Sequence, residues 1–425
     1  MSQKNKSAKF LMAIALFAIS EMAQATNGYF ENAYGSRSKG LAGADVAFSQ
    51  DAISAALNPA GLAYVGNRLD IEGEFFSPLR QYSVDAPGML NPGTYQSNKN
   101  YYVIPTLGWS HKLDDAQTIG LALYGNGGMN TDYAHVTNGP FSACPGATGV
   151  FCTGRTGVDM AQGFLAATYA RSFANGRYAL GVSPMLAVEY FEAQGFSGFG
   201  QFSSAPNQLS NNGREYSFGV GFKVGGQAEL TQGLRLGASF KSRTYMSQLK
   251  DYSGLFTGQG SFDIPASLDT GLSWAVTDTV TTAFDIQQIF YSEVNSVGNP
   301  IQPLFSGAQF GAGNGPGFGW RDVTVYKIGT QWKQSDQLTL RGGFSYGQQP
   351  IPSSQALLNI VAPAVQEWHI DGGFSYKLPN QDEISFAFMY SPQNTVSGAN
   401  PLYPSQNVAL SMTQYSLTLG WSRRF

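Results

Sequence analysis

Fourteen stretches of this chain alternate apolar and polar residues with the two-residue period of a β-strand. They fall at roughly 68–80, 100–113, 117–129, 160–173, 176–191, 214–230, 233–247, 262–277, 279–291, 321–333, 337–347, 366–378, 381–391 and 413–425. The last shows the pattern best. Tyr415, Leu417, Leu419, Trp421 and Phe425 share one face, and Ser416, Thr418, Gly420, Ser422 and Arg424 share the other. In 381–391, Ile384, Phe386, Phe388 and Tyr390 alternate with Ser385 and Ala387; in 337–347, Leu338, Leu340, Phe344 and Tyr346 alternate with Thr339, Arg341 and Ser345.

The connections alternate in length. Short turns such as Leu113-Asp114-Asp115, Ala174-Asn175-Gly176, Thr231-Gln232-Gly233 and Pro379-Asn380-Gln381 are separated by long segments at 81–99, 130–159, 192–213, 248–261, 292–320, 348–365 and 392–412. Short turns at one end and long loops at the other are the signature of an antiparallel outer-membrane barrel. The expectation is therefore an all-β fold, a 14-stranded transmembrane barrel over 68–425 with both its ends on the periplasmic side. A cation on the lipid face at mid-depth costs about 2–4 kcal/mol, so Arg235, Lys241, Arg243 and Arg341 are expected in the lumen. Fourteen strands enclose more space than wall side chains fill, since about eight suffice for that.

Residues 26–67 do not alternate. Ser49 and Asp51 are N-cap candidates for a short helix through Ala52–Leu57, which Asn58-Pro59 should end because a residue before proline is pushed out of helical geometry. A compact run of small residues ahead of the first strand suits a plug inside the lumen. Residues 1–25 read as a secretion signal: Lys4, Lys6 and Lys9 precede an apolar run from Phe10 to Ile19, and Ala23-Gln24-Ala25 has the form of a cleavage site.

Composition supports the membrane reading. Charged residues make up 12% and aromatics 13%, with 51 glycines and a formal net charge of −3; a globular domain carries about 25% charged residues. A secreted all-β adhesin is the competitor, and the strict asymmetry of the connections argues against it. The near-neutral balance gives no reason to expect nucleic acid. Cys144 and Cys152, in a Gly/Pro-rich segment of an exported chain, are expected to form a disulfide. His111, His135 and His369 lie apart, with no spacing that suggests a catalytic triad or a metal site. No enzyme, metal or cofactor is expected.

Several motifs, taken in order, resemble the long-chain fatty acid transport protein family of Gram-negative outer membranes. They are Ser38-Lys39-Gly40-Leu41-Ala42-Gly43-Ala44-Asp45 with Asn58-Pro59-Ala60-Gly61-Leu62 near the N-terminus, Tyr102-Val103-Ile104-Pro105-Thr106-Leu107-Gly108-Trp109, Tyr124-Gly125-Asn126-Gly127-Gly128, Ser261-Phe262-Asp263-Ile264-Pro265, and Leu338 to Tyr346 with Pro350-Ile351-Pro352. The resemblance covers essentially the whole mature chain. It implies a barrel closed by an N-terminal hatch, passive transport of a hydrophobic molecule, and lateral exit where the third strand is kinked. On that basis Gly125, Gly127 and Gly128 are candidates for the kink, and Asn58, Pro59 and Ala60 for the hatch motif lying against it.

Two ligand classes stay open. A long-chain fatty acid needs an apolar pocket and a cation for its carboxylate, for which Arg155, Arg243, Lys327 and Arg341 are candidates; an aromatic hydrocarbon needs only the pocket. Phe196, Phe199 and Phe202, with Phe191, Leu304, Phe305, Phe310 and Phe318, could line a capture groove or simply pack on one another. A general porin is the remaining alternative, and the hatch argues against it. The other partners expected are outer-membrane lipid and lipopolysaccharide around a monomeric barrel, and the barrel-assembly machinery, with Phe425 as part of its recognition signal.

Overall fold

The structure, a computed structural model, describes residues 26–379 and 382–425; the expected secretion signal and the turn tip at Asn380-Gln381 lie outside the described residues. Fourteen antiparallel strands form the wall: β1 (Arg68–Val84), β2 (Tyr102–Lys112), β3 (Gln117–Tyr133), β4 (Thr156–Phe173), β5 (Tyr178–Gln194), β6 (Glu215–Thr231), β7 (Leu234–Lys241), β8 (Ser267–Ala275), β9 (Val280–Ile289), β10 (Val323–Lys333), β11 (Leu338–Gly347), β12 (Trp368–Lys377), β13 (Asp382–Asn400) and β14 (Tyr403–Arg424). Each pairs with its neighbours in sequence, and β14 pairs with β1 from Arg68↔Arg424 to Val84↔Val408, which closes the barrel. No helix among the described residues is long and apolar enough to cross a membrane.

The wall is inside-out relative to a globular protein. Along β1, Ile71, Phe75 and Leu79 are exposed while Asp70, Glu72 and Glu74 between them are buried. Lipid faces the first set and the lumen holds the second, so no backbone group or charge needs hydrocarbon as its solvent. The same alternation exposes Leu236 and Phe240 on β7 and buries Ser239 and Lys241. Arg235, Lys241 and Arg341 face inward as expected, reaching Tyr64, Asn126 and Gln50 respectively.

Arg243 does not. The seventh strand breaks after Lys241 and resumes only as the two-residue strand Tyr245–Met246, so Arg243 lines a recess of the outer wall with Phe222, Phe240 and Tyr245. Its guanidinium pairs with Asp263 at 2.7 Å and donates to the Glu293 carbonyl oxygen. A paired, part-exposed cation at the strand edge escapes the penalty that drove the inward expectation.

The long-loop end also differs from expectation. Residues 392–412 form no loop: β13 runs to Asn400 and β14 starts at Tyr403, a hairpin extended past the apolar band and cross-linked by hydroxyls such as Thr395–Ser411 (2.8 Å). Its outward face carries Thr395, Ser397 and Asn407 because it stands above the lipid, while Val396, Val408 and Leu410 are buried inside, so the apolar-out, polar-in alternation used to recognise strands is lost. Likewise β3 extends to Tyr133 and β4 begins at Thr156. Between them Cys144 and Cys152 are joined in a disulfide.

Residues 26–67 pack inside the barrel and are almost all buried. A one-turn α-helix, Ser36–Lys39, and two 3-10 turns build this hatch, the two 3-10 turns standing where a single helix was expected. Asp51 caps Ala52–Ala56, accepting from the Ser54 amide, and Asn58 caps Pro59–Tyr64, accepting from the Ala60 amide. Pro59 therefore starts a second turn as well as ending the first, its lost N–H being one that a first turn leaves unpaired anyway.

Candidate functional site: a broken third strand faced by the hatch

The wall is incomplete at one place. Strands β2 and β3 pair only from Lys112↔Thr118 to Leu107↔Leu123. Beyond Leu123, β3 stays paired with β4, and there it carries one extra residue: Gly125 opposes Gly163, Gly127 opposes Gln162, and Asn126 between them has no opposite number. A bulge of this kind bends its strand and increases the local twist.

The bend shows in which side chains meet. Phe76, Tyr102 and Ile104, from the lumen faces of β1 and β2, cluster with Ala161 of β4 and Tyr190 of β5. Yet Ala161 neighbours Gln162, which points into the lumen towards Asn126. The outer face of β4 and β5 meets the inner face of β1 and β2 because the upper parts of β3–β5 fold inward. The seam is filled by these aromatic and apolar side chains instead of ladder hydrogen bonds.

At the rim of the seam Asp159 accepts from Lys99 (2.5 Å) and Arg214 (2.9 Å), and Asp132 holds Arg155 by two bonds of 2.7 Å. Those bonds raise the Arg155 guanidinium pKa above its usual range. The polar cavity among these groups has a volume of about 220 Å³.

The first residues of the hatch dock on the bulge. Phe30 forms a β-bridge with Gly127, and the Glu31 amide donates to the Asn126 carbonyl oxygen at 2.9 Å. Gly127 has φ +152°, and a Cβ there would lie 1.4 Å from the Tyr29 carbonyl oxygen, so the contact requires glycine. Tyr291, just past β9, fixes the same segment: its hydroxyl donates to the Asn27 carbonyl oxygen and accepts from the amides of Tyr29 (3.2 Å) and Phe30 (3.3 Å).

Asn58, Pro59 and Ala60 do not lie against this bulge. They press on β5 and β6, where a Cβ at Gly181 would come within 2.4 Å of Pro59 and Ala60, and the Asn58 amide donates to the Gly226 carbonyl oxygen at 3.1 Å. The capped turn they form is short and rigid and needs a wall without side chains, which β5 and β6 supply. Gly125 and Gly128 flank the bulge, opposite Gly163 and Ala161.

The four cations foreseen for a ligand carboxylate are all engaged. Lys327 donates to the Asn32 carbonyl oxygen (2.8 Å), and Arg341 to Gln50 (2.8 Å), Gln331 and Ser375. Both hold the hatch to the wall. Arg155 and Arg243 are paired with Asp132 and Asp263, far from one another along the chain and on separate features of the rim and outer wall.

Above the hatch an apolar cavity of about 30 Å³ is lined by Val158, Phe191, Phe196, Phe256, Phe310 and Phe318 among others. Phe196 and Phe199 are buried here, Phe199 against Phe310 at 5.9 Å between ring centres, whereas Phe202 and Phe305 stay exposed. Sequence reasoning missed Tyr29, Phe30, Tyr102, Tyr190 and Tyr291. The one signal available was the position of Tyr29-Phe30, a bulky pair within an otherwise small-residue segment.

Solved structures share this architecture. The Pseudomonas putida toluene transporter TodX superposes with a TM-score of 0.66 at 18% identity, over 93% of this chain and 99% of its own. A Pseudomonas aeruginosa FadL homologue gives 0.65 at 14%, over 93% and 98%. The Ralstonia pickettii toluene transporter TbuX gives 0.63 at 16%, over 93% and 99%. At such identities the likeness is one of fold. No curated protein sequence matches. The family model described as outer membrane protein transport protein (OMPP1/FadL/TodX) matches residues 198–420, just over half of the chain. The chain therefore belongs to the OMPP1/FadL/TodX family, an outer-membrane transporter rather than an enzyme.

Proposed function

We propose that this protein passes small uncharged hydrophobic molecules across the outer membrane, with monoaromatic hydrocarbons as the preferred class, and releases them sideways at the seam between β2 and β3. In this reading the long loops face outward among lipopolysaccharide, the short turns and both ends of the barrel face the periplasm, and the barrel works as a monomer. Phe425, at the foot of the closing strand, serves the assembly machinery rather than transport.

The observation that carries the reading is a continuous series of rings from the loop cavity to the bulge. Phe191 packs on Phe256 at 4.7 Å between centres, Phe256 on Phe262 at 4.7 Å, Phe262 on Tyr29 at 6.2 Å, and Tyr29 on Phe30 at 5.5 Å. An apolar solute moving along it keeps its surface out of water, worth about 25 cal/mol per Å². Phe202 and Phe305 supply first contact at the surface. A fatty acid fits less well, because the four cations foreseen for its carboxylate already have partners. That TodX and TbuX are named toluene transporters favours the same class.

Deleting Asn126 tests the route. Without its extra residue β3 can pair with β2 past Leu123 and close the seam. The expected outcome is a folded, surface-displayed barrel whose toluene uptake drops to that of cells lacking the protein. Undiminished uptake by the deletion variant would sink the lateral route.

A further inference from the structure

Lys241 of β7 is buried in the lumen, donates to no hatch carbonyl oxygen and forms no ion pair among the described residues. Its ammonium donates to Asn126 Oδ1 at 3.2 Å, the side chain of the extra residue in β3. It lies 3.9 Å from the centre of the Phe30 ring and 5.3 Å from that of Phe164. Around these stand further rings: Tyr124 is 5.6 Å from Phe164 and 4.9 Å from Tyr34. The other lumen lysines differ. Lys39 is held by Glu31 and Glu74, while Lys223 and Lys327 donate to hatch carbonyls.

A desolvated ammonium is attracted to the negative face of an aromatic ring, and a saturated ring of equal size offers it nothing comparable. Phe30 supplies that face in this structure. It is also the residue held at the bulge by bonds that can be broken without unfolding the wall: one β-bridge to Gly127 and the Tyr291 hydroxyl. We infer that Lys241 is a receptor for the π-face of an aromatic solute, occupied by Phe30 at rest, and that it makes passage selective for aromatic over saturated hydrocarbons.

A carboxylate is the rival occupant. It presents about four acceptor sites. Apart from the rings, the groups near Lys241 are Lys223, its cross-strand neighbour, which already donates to the Ala56 and Leu57 carbonyl oxygens, the Asn126 amide, which donates to Gln162, and the Tyr124 hydroxyl, which donates to Met185 Sδ. A carboxylate there would exchange full hydration for a single cationic donor not already held by carbonyl oxygens, whereas an aromatic hydrocarbon has no hydration shell to lose. The inference rests on the transport reading above and sharpens it to one residue.

The test measures uptake of toluene, methylcyclohexane and octanoate, each alone, by cells displaying the full chain or its Lys241→Met and Phe30→Leu variants. The unaltered chain should favour toluene over methylcyclohexane about thirtyfold, the size of a desolvated cation–π contact. Lys241→Met should bring that ratio near one by slowing toluene alone, and Phe30→Leu should speed toluene by removing its competitor. An unchanged ratio in Lys241→Met overturns the inference, as does an equal fall for both hydrocarbons, which would mark a merely structural lysine. A larger loss of octanoate than of toluene overturns it in favour of a carboxylate site. Equal uptake of the two hydrocarbons by the unaltered chain overturns the receptor but leaves transport standing; uptake of neither overturns both. Should Lys241→Met fail to reach the membrane, Phe30→Leu decides alone, and a toluene rate that stays level or falls overturns the inference.

Discussion

The body of the hatch and its first residues are fastened to the same wall by different chemistry. In the body, Arg37 reaches Asp51, Asp70 and Glu383, Lys39 reaches Glu31 and Glu74, and Lys327 and Arg341 grip Asn32 and Gln50. From Asn27 to Phe30 the fastening is ring on ring, one bridge and one tyrosine hydroxyl. Ion pairs buried from water are hard to part, since each partner left behind keeps an uncompensated charge. Ring contacts can be exchanged for contacts with another ring at little net loss. The body is thus built to stay and the tip to be replaced, and the tip is the part that faces the seam.

Substitutions on each side break this contrast in different ways. Arg37→Ala should have the largest effect, leaving three carboxylates without their shared cation at a cost of about 3–5 kcal/mol. It should appear as a loosened hatch: ion leakage in planar bilayers and a lower unfolding temperature. Tyr291→Phe should cost less, about 1–3 kcal/mol for the amides and carbonyl it strands, and should act on the tip alone. Limited proteolysis should then cut near Asn27–Phe30 while the barrel keeps its melting temperature; a lowered barrel melting temperature would show that the tip is not separable.

The smallest effect lies outside both regions, in the short turn after β2. Asp114 accepts from the amides of Ala116 and Gln117, and these bonds hold its pKa below the usual carboxylate value. A depressed folded pKa means stability that is present above the unfolded pKa and lost as pH falls through the folded one. Amide exchange at Ala116 should therefore quicken between about pH 4 and more acidic values, and Asp114→Asn should remove that pH dependence.

The barrel was legible because strand periodicity and loop asymmetry survive wherever one face meets lipid. Where that contrast ends, the reading failed. The hairpin of Val396 to Ala409 turns polar residues outward and buries Val396 and Val408, so it lacks the lipid-facing pattern and reads as a loop, and Arg243 reads as a lumen residue because nothing in its neighbours announces the break after Lys241. The bulge at Gly125–Gly127 was visible as a glycine cluster. What docks there was not, because Asn58-Pro59-Ala60 is the more conspicuous motif while Tyr29-Phe30 is brought to Gly127 by the return of the chain across the lumen. Lys241 could be placed inward by parity, but its rings come from Phe30 and Phe164, far away in sequence.

The closing pair β1–β14 carries one more consequence. Ser422 of the last strand donates to Asp70 of the first and accepts from Arg37 of the hatch. One buried triad therefore joins the hatch, the first strand and the last strand. The triad is complete only when the hatch lies inside the closed barrel. A barrel shut on an empty lumen would leave Asp70 with only Arg68 of its own strand and the Ser422 hydroxyl, so the lock would lack its third member.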